Sequence, residues 1–465
     1  MKHIQLIILC LSLLITSGMQ AQLPEGRTKA TVIADALAQL PADTPHKYNQ
    51  IIADLVSTGE EGLLDLIGRM NPPGNQSNET IDYAISGWTH FVANDNAARN
   101  VAAGTYEKTL TRPLDKEVKA FVIRQLRTIG TDDNVDALSA FLTDKYLSDP
   151  AAQALVSIGT EKAANTLLVA LASSSDDKVR LNLVNAIGQL GDEKAEPALL
   201  GLLSGNSSEA MQKVLLNALG NTGSKASLKP LRDAAEKAGY VYQKDNSTAS
   251  YISLLGRLND KESKLVKKEA EKLLATGKKL GKQDIRIAAT KLLLAQPTVK
   301  KEDILKNAIK DGDITYLSGV LNLYPFENDK KSSELIQATL VFTKSPEVQT
   351  ALVYWSGKHD KKVSIPQIAA LVNSPDDMVQ KAAALSLAKL GGEESLIALA
   401  SLLKSDNDEA VALAKDALST YNGDISYTLA SVFEDSGDAG KKAILELIAI
   451  RKMESQYNLV YNQMF

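Results

Sequence analysis

An aliphatic residue, a glycine twelve positions later and a leucine twelve later again make a phrase that returns about every thirty residues. It reads Val118, Gly130, Leu142; then Leu147, Gly159, Leu171; then Val179, Gly191, Leu203. Val379, Gly391, Leu403 repeat it near the other end. A fixed period of this size means stacked supersecondary units, each too small to bury its own apolar face, sharing one core with their neighbours. The 465 residues therefore do not imply three separate globules, the number that length alone suggests.

The phrase also defines the unit. Val179, Leu183, Val184, Ile187 and Leu190 fall on one face of a helix. Asp176 and Asp177 stand where carboxylates accept from the free N–H groups of a helix start. Gly191 suits the left-handed residue that closes a helix. Pro197 is tolerated in the first turn of the next helix, whose Leu199 and Leu203 face back to the core. The same pair recurs as Leu138/Leu142, Leu167/Leu171 and Leu399/Leu403. One unit is a helix, a tight turn, a second helix and a loop. Weaker copies are anchored near Met211, Ser247, Ile285, Ile314, Val348 and Val411, with a further unit from about Ala439. The two longest spacings bracket 211–285, where an inserted loop is expected at 239–245.

The first part of the chain is less regular. Turn-rich stretches at 23–26 and 40–45 are followed by helix-like segments at 48–56, 61–70 and 80–93. Asn71-Pro72-Pro73-Gly74 stops the second of these. The expected organisation is a signal peptide at 1–21, a helical cap of diverged repeats at 22–112 and a solenoid at 113–465. The signal rests on Lys2 and His3, an apolar run at 4–15 too short to span a bilayer, and the small residues before and at Ala21. Cys10, the only cysteine, lies inside that run and follows Leu9 rather than the small residue of a lipoprotein site. The mature chain is thus expected to be soluble, free of cysteine and exported, either periplasmic or secreted.

Little in the sequence supports chemistry. His46, His90 and His359 are far apart, with no second histidine or cysteine at metal-ligand spacing. No nucleophile elbow, phosphate loop or dinucleotide fingerprint is present. The acidic pairs Asp132-Asp133, Asp176-Asp177, Asp376-Asp377 and Asp406/Asp408 each precede an expected helix start, so capping explains them better than acid–base catalysis. The expectation is no catalytic residue, no metal and no cofactor.

The stretch Asp-Asp-x-Val-Arg-x-x-x-x-x-Ala-Ile-Gly-x-Leu-Gly at 176–191 resembles the HEAT repeat, in the short bacterial form also found in phycobilin lyases. Asp376-Asp377-Met378-Val379-Gln380 through Lys389-Leu390-Gly391 echoes it. The resemblance implies an all-α fold, an α-α superhelix of antiparallel helix pairs, and a binding role. The arginine of the pattern is Lys119, Lys213, Gln349, Gln380 or Ala412 elsewhere, so a continuous internal polar ladder is not expected.

A solenoid offers a long surface rather than a closed cavity, which points to an exported non-enzymatic scaffold that binds a protein partner. The alternative is a binding arm of a carbohydrate-processing protein, with its sugar-hydrolase domain beyond residue 465; a lyase of the bilin type ranks last. The net charge of -4 does not specify a nucleic acid. Charge is uneven, however: 257–310 carries 15 basic and 7 acidic residues, and 393–438 carries 2 and 10. Lys267, Lys268, Lys278 and Lys279 in the first stretch, with Tyr240 and Tyr242 in the expected loop beside it, are the candidate partner-binding residues. Few aromatics interleave with the lysines, which argues against single-stranded nucleic acid. Trp355 falls on the packed face of its helix and is expected in the core.

Overall fold

The computed structural model describes residues 26–72, 74, 76–205, 207–242, 246–325, 330–359 and 361–462. The expected signal peptide, Cys10 included, lies outside them. Among the described residues every regular element is a helix, as the period requires. The chain divides into two compact units, the first ending at Arg257 and the second beginning at Leu258.

In the first unit the helices are α1 (Lys29–Gln39), α2 (Pro45–Ser57), α3 (Gly59–Gly68), α4 (Glu79–Val92), α5 (Asn96–Leu110), α6 (Lys116–Ile129) and α7 (Val135–Ser139). They continue as α8 (Ser148–Ile158), α9 (Glu161–Ser173), α10 (Asp177–Leu190), α11 (Glu196–Ser204), α12 (Glu209–Thr222), α13 (Lys225–Lys237) and α14 (Ser247–Leu258). Helices α6, α8, α10 and α12 are the first helices of successive pairs, each packed on the next. The segment expected as a cap already follows this plan, since α2 packs on α4 and α4 on α6. Two of its helices, α1 and α5, have no clear signature in the sequence.

The second unit contains α15 (Ser263–Lys279), α16 (Gln283–Leu294), α17 (Lys301–Asp311), α18 (Ile314–Leu323), α19 (Lys330–Phe342), α20 (Pro346–Lys358) and α21 (Ile365–Ala370). It ends with α22 (Asp377–Leu390), α23 (Glu393–Ser401), α24 (Asp408–Ser419), α25 (Ser426–Val432), α26 (Asp438–Ile450) and α27 (Tyr457–Asn462). Here α16, α18, α20, α22, α24 and α26 form the first row, again each against the next.

The helix boundaries have local causes. Asp176 accepts from the backbone N–H groups of Lys178 at 3.0 Å and Val179 at 3.1 Å. Asp376 accepts from that of Val379 at 3.0 Å. In the other two acidic pairs a neighbour takes the role. Thr131 and Asn134 form a reciprocal capping box ahead of α7, and Asn407 caps α24, accepting from Glu409 N–H at 2.9 Å. Asp132 instead accepts from the Thr160 hydroxyl of the next pair. Gly191 closes α10 in the left-handed conformation, at φ +72°.

The first helices pack closely because the phrase places small residues where they cross. Gly188, nine residues after its anchor, faces Ala218, seven residues after the next; a Cβ on Gly188 would lie 2.7 Å from the Ala218 Cα. Gly220 meets Ser250 in the same way, and in the second unit Gly357 meets Ser386. This register corrects one expected anchor. Ser250 occupies the place of Ala218, so Ser247 corresponds to Leu215 and not to the anchor Met211. The surplus length consequently lies after Ser250, and α15, the next second helix, runs 17 residues against 13 for α9 and α13.

The inner face is dry. Val179, Leu183, Val184 and Ile187 are buried, as are Leu138, Leu167, Leu199 and Leu399. Leu203 departs from its counterpart Leu403 and is only half-buried. Leu183→Ala should therefore lower stability by about 3 kcal/mol, the usual cost of an unfilled core cavity, and Leu203→Ala by clearly less. Urea titrations followed by helix signal check the difference; equal losses would contradict this assignment of the core.

Candidate functional site

The residues proposed from sequence as a partner site do not share one environment. Tyr240 is buried, at 7% exposure. Its N–H donates to Ala235 O and that of Gly239 to Glu236 O, a Schellman closure of α13 that turns the tyrosine inward. It is core rather than an exposed aromatic platform. Tyr242 is half-buried. Lys268 and Lys279 are exposed on α15, and Lys267 is half-buried.

Lys278 is committed to a polar cluster inside the second unit. Its Nζ lies 2.5 Å from Asp311, and the same carboxylate takes Arg286 at 2.9 Å. Arg286, which holds the position of the family arginine one residue after the Ile285 anchor, is 3% exposed. It also approaches Asp313 at 3.3 Å and stacks 3.7 Å from the Tyr316 ring. Burial raises the pKa of Asp311, but its bonds to Lys278 and Arg286 more than reverse this, and the carboxyl sits below its ordinary value. The cluster joins α16, α17 and α18, and Lys278 pairs with it from α15 while its side chain stays exposed.

Chemistry finds no better footing in the histidines. His46, His90 and His359 are exposed on or beside three different helices. Among the described residues, no three His, Cys, Asp or Glu side chains come together to hold a metal. None of their helices is long and apolar enough to cross a membrane.

A largely apolar groove lies between α18 and α20. It encloses about 440 Å³ and is lined from α18 by Ile314, Ser318 and Leu321. These recur at i, i+4 and i+7, one face of a helix. Helix α20 contributes Glu347, Ala351, Tyr354 and Lys358, again a single stripe, and Met378 closes the side toward α22. Tyr354 and Met378 are 45% and 55% exposed. Past Leu321 and Trp355 the groove continues into a hollow of about 500 Å³ lined by Tyr324, Pro325, His359 and Lys361.

Trp355 stands where the groove and the hollow meet. It occupies the position seven residues after the anchor, where Ala186, Ala218 and Ser386 stand in other pairs. Opposite it, nine residues after Ile314, is Leu323 instead of glycine. The indole Nε1 donates to Leu321 O at 3.0 Å, and the ring stacks on His359 with centroids 5.1 Å apart. The side chain is buried, as its place on the helix led one to expect, and it also lines the groove. Partial desolvation, helped by the charges of Lys358, Lys361 and Lys389, holds His359 below its ordinary value. At the other end Glu347 accepts from the Ser345 hydroxyl at 2.7 Å, which lowers its carboxyl.

Two other concavities are more polar. One of about 700 Å³ between α7 and α9 has its charges paired, Lys162 with Asp136 at 2.9 Å and Lys194 with Glu161. One of about 300 Å³ near α4 and α6 holds Asp82, whose pKa burial raises against the opposing effect of Arg124.

Comparison with known proteins agrees with this architecture. The family model for HEAT repeats matches residues 107–180, 164–245 and 332–419. Among solved structures, the chain is similar to the karyopherin Kap121p, in a crystal structure with the extreme C-terminus of the protein phosphatase Cdc14p. The two share 12% identity at a TM-score of 0.38, over 95% of this chain and 62% of that one. The chain thus spans less than two thirds of the karyopherin's length. A second similar chain comes from a structure concerned with a phosphorylation switch between cadherin and beta-catenin, with 12% identity, a TM-score of 0.31 and 92% of each chain covered. No curated protein matches the sequence.

The buried cluster generates a prediction. Because the Asp311 carboxyl is depressed on folding, its contribution is complete above the unfolded value, near 4, and is lost as pH falls through the folded value. Asp311→Asn should cost about 2 kcal/mol at pH 7 by leaving Arg286 short of a partner. Its difference from the parent chain should shrink at pH values below the folded pKa. Urea titrations at neutral and acid pH check this, and a pH-independent difference would refute the pairing. The two stretches 107–245 and 332–419 are those that match the family model for HEAT repeats.

Proposed function

We propose that the protein is an exported, non-enzymatic scaffold whose helix rows bind another protein. One observation carries the reading: large apolar side chains stay exposed along the second unit although its core is full. Tyr354 and Met378 stand out on first helices; Phe342, Ile397 and Tyr427 stand out on second helices at 79%, 57% and 84% exposure. Apolar groups kept in water repeatedly along a packed array are what a protein-binding surface requires. The concavities are open grooves, a shape suited to a partner's surface rather than to sealing a reaction from water. Export rests on the basic, apolar and small-residue pattern of the first 21 residues.

A photo-crosslinking amino acid placed in turn at Phe342, Met378, Ile397 and Tyr427 tests the reading in cells that express the chain. The expected outcome is a protease-sensitive adduct at two or more of these positions. An adduct released by glycosidases but not proteases would favour the carbohydrate-binding alternative. No adduct at any of the four would overturn the scaffold reading.

A further inference from the structure

The groove between α18 and α20 has a chemistry that narrows the partner. Its α20 wall reads acid, small, aromatic, base: Glu347, Ala351, Tyr354, Lys358. Among the described residues no carboxylate lies within ion-pair distance of Lys358. Lys361 stands near the same end, its Nζ 5.7 Å from the centre of the Trp355 ring. At the negative end, among the described residues, Glu347 bonds the Ser345 hydroxyl and its own backbone. Between the two ends the lining is largely apolar, and Ala351 gives it depth.

Resting on the protein-binding reading above, we propose that this groove receives an extended segment of the partner. That segment carries large apolar side chains between a basic group, set at Glu347, and a carboxylate, set at Lys358. The eleven residues separating the two charges place them about 16 Å apart along the helix axis, at about 1.5 Å per residue. An extended chain covers that span in about five residues, at about 3.3 Å each. The volume of about 440 Å³ lies within the usual size of a binding pocket and accommodates one aromatic side chain with its neighbours.

At three other crossings glycine meets alanine or serine with no room for a side chain. Here Trp355, the largest residue found at this position of any pair, lines the groove and is fixed by its bond to Leu321 O.

The test uses the full chain and three fluorescein-labelled, end-blocked peptides, with Leu-Phe-Leu flanked by Lys and Glu, by two Lys, or by two Glu. Fluorescence polarisation should show tightest binding of the Lys/Glu peptide to the parent chain. Lys358→Glu makes both ends of the groove acidic and should shift preference to the two-Lys peptide by about tenfold. Glu347→Lys should shift it to the two-Glu peptide by a similar factor. Both changes are on exposed side chains, so folding is preserved, as circular dichroism verifies. Ser318→Phe, which fills the groove, should abolish all three interactions.

Absence of saturable binding below about 1 mM would overturn the inference, as would equal binding of all three peptides unaffected by either charge change. A partner crosslinked at Tyr427 or Phe342 and captured equally well by the Lys358→Glu chain would also overturn it, while leaving the scaffold reading intact. Conversely, loss of the scaffold reading shows as absent adducts at every crosslinking position.

Discussion

Close approach between successive first helices is the contact on which the rest of the structure depends. Gly188 against Ala218 leaves no room for a side chain at the crossing, since an added Cβ would lie 2.7 Å from the neighbour's Cα. Two helices can approach this nearly only where the facing residues are small. Once the backbones meet there, Val179, Leu183 and Ile187 are carried into a core shared with the adjoining pair. Each pair therefore stabilises chiefly its neighbours, and local changes in the phrase have local consequences.

Polar groups link the pairs where the apolar core runs out. Glu196 at the start of α11 accepts from the N–H groups of Ser224 and Ser227 at 2.8 and 3.0 Å, and so caps α13 of the following pair. Arg257 donates to Gly223 O, and Arg451 to the carbonyls of Leu418, Tyr421 and Gly423, satisfying acceptors that a helix end leaves open. The buried Arg286 is the same device turned inward, between Asp311 and Asp313. Such bonds explain why many charges that look free in the sequence are not. Lys278 reads as a surface cation until Asp311, 33 positions away, is placed beside it.

The period made the fold legible, because it repeats both the apolar face and the helix-closing glycine. The pairs at 116–237 and 377–419 lie where the phrase puts them. Less was legible where the phrase weakens. Nothing local revealed that α14 is entered four residues late in the register, because Ser250 can be matched to Ala218 only through its contact with Gly220. The candidate site was mostly hidden. Tyr240 looked like a loop aromatic, but a left-handed turn after Gly239 puts it in the core. The groove carried one signal in the sequence: tryptophan at 355, where the other copies of the phrase have a smaller residue. Its meaning depends on Leu323 and Leu321 of the preceding first helix, which only the fold brings opposite.

Hydrogen exchange of a Gly188→Val chain tests most directly the claim that small-residue crossings hold the array together pair by pair. The added side chain must push α10 from α12. Amide exchange should accelerate in those two helices, and to a smaller degree in α8 and α14, while α4 keeps the protection of the parent chain. Unchanged exchange in α10 and α12 would contradict the account, and so would uniform acceleration from α2 to α14.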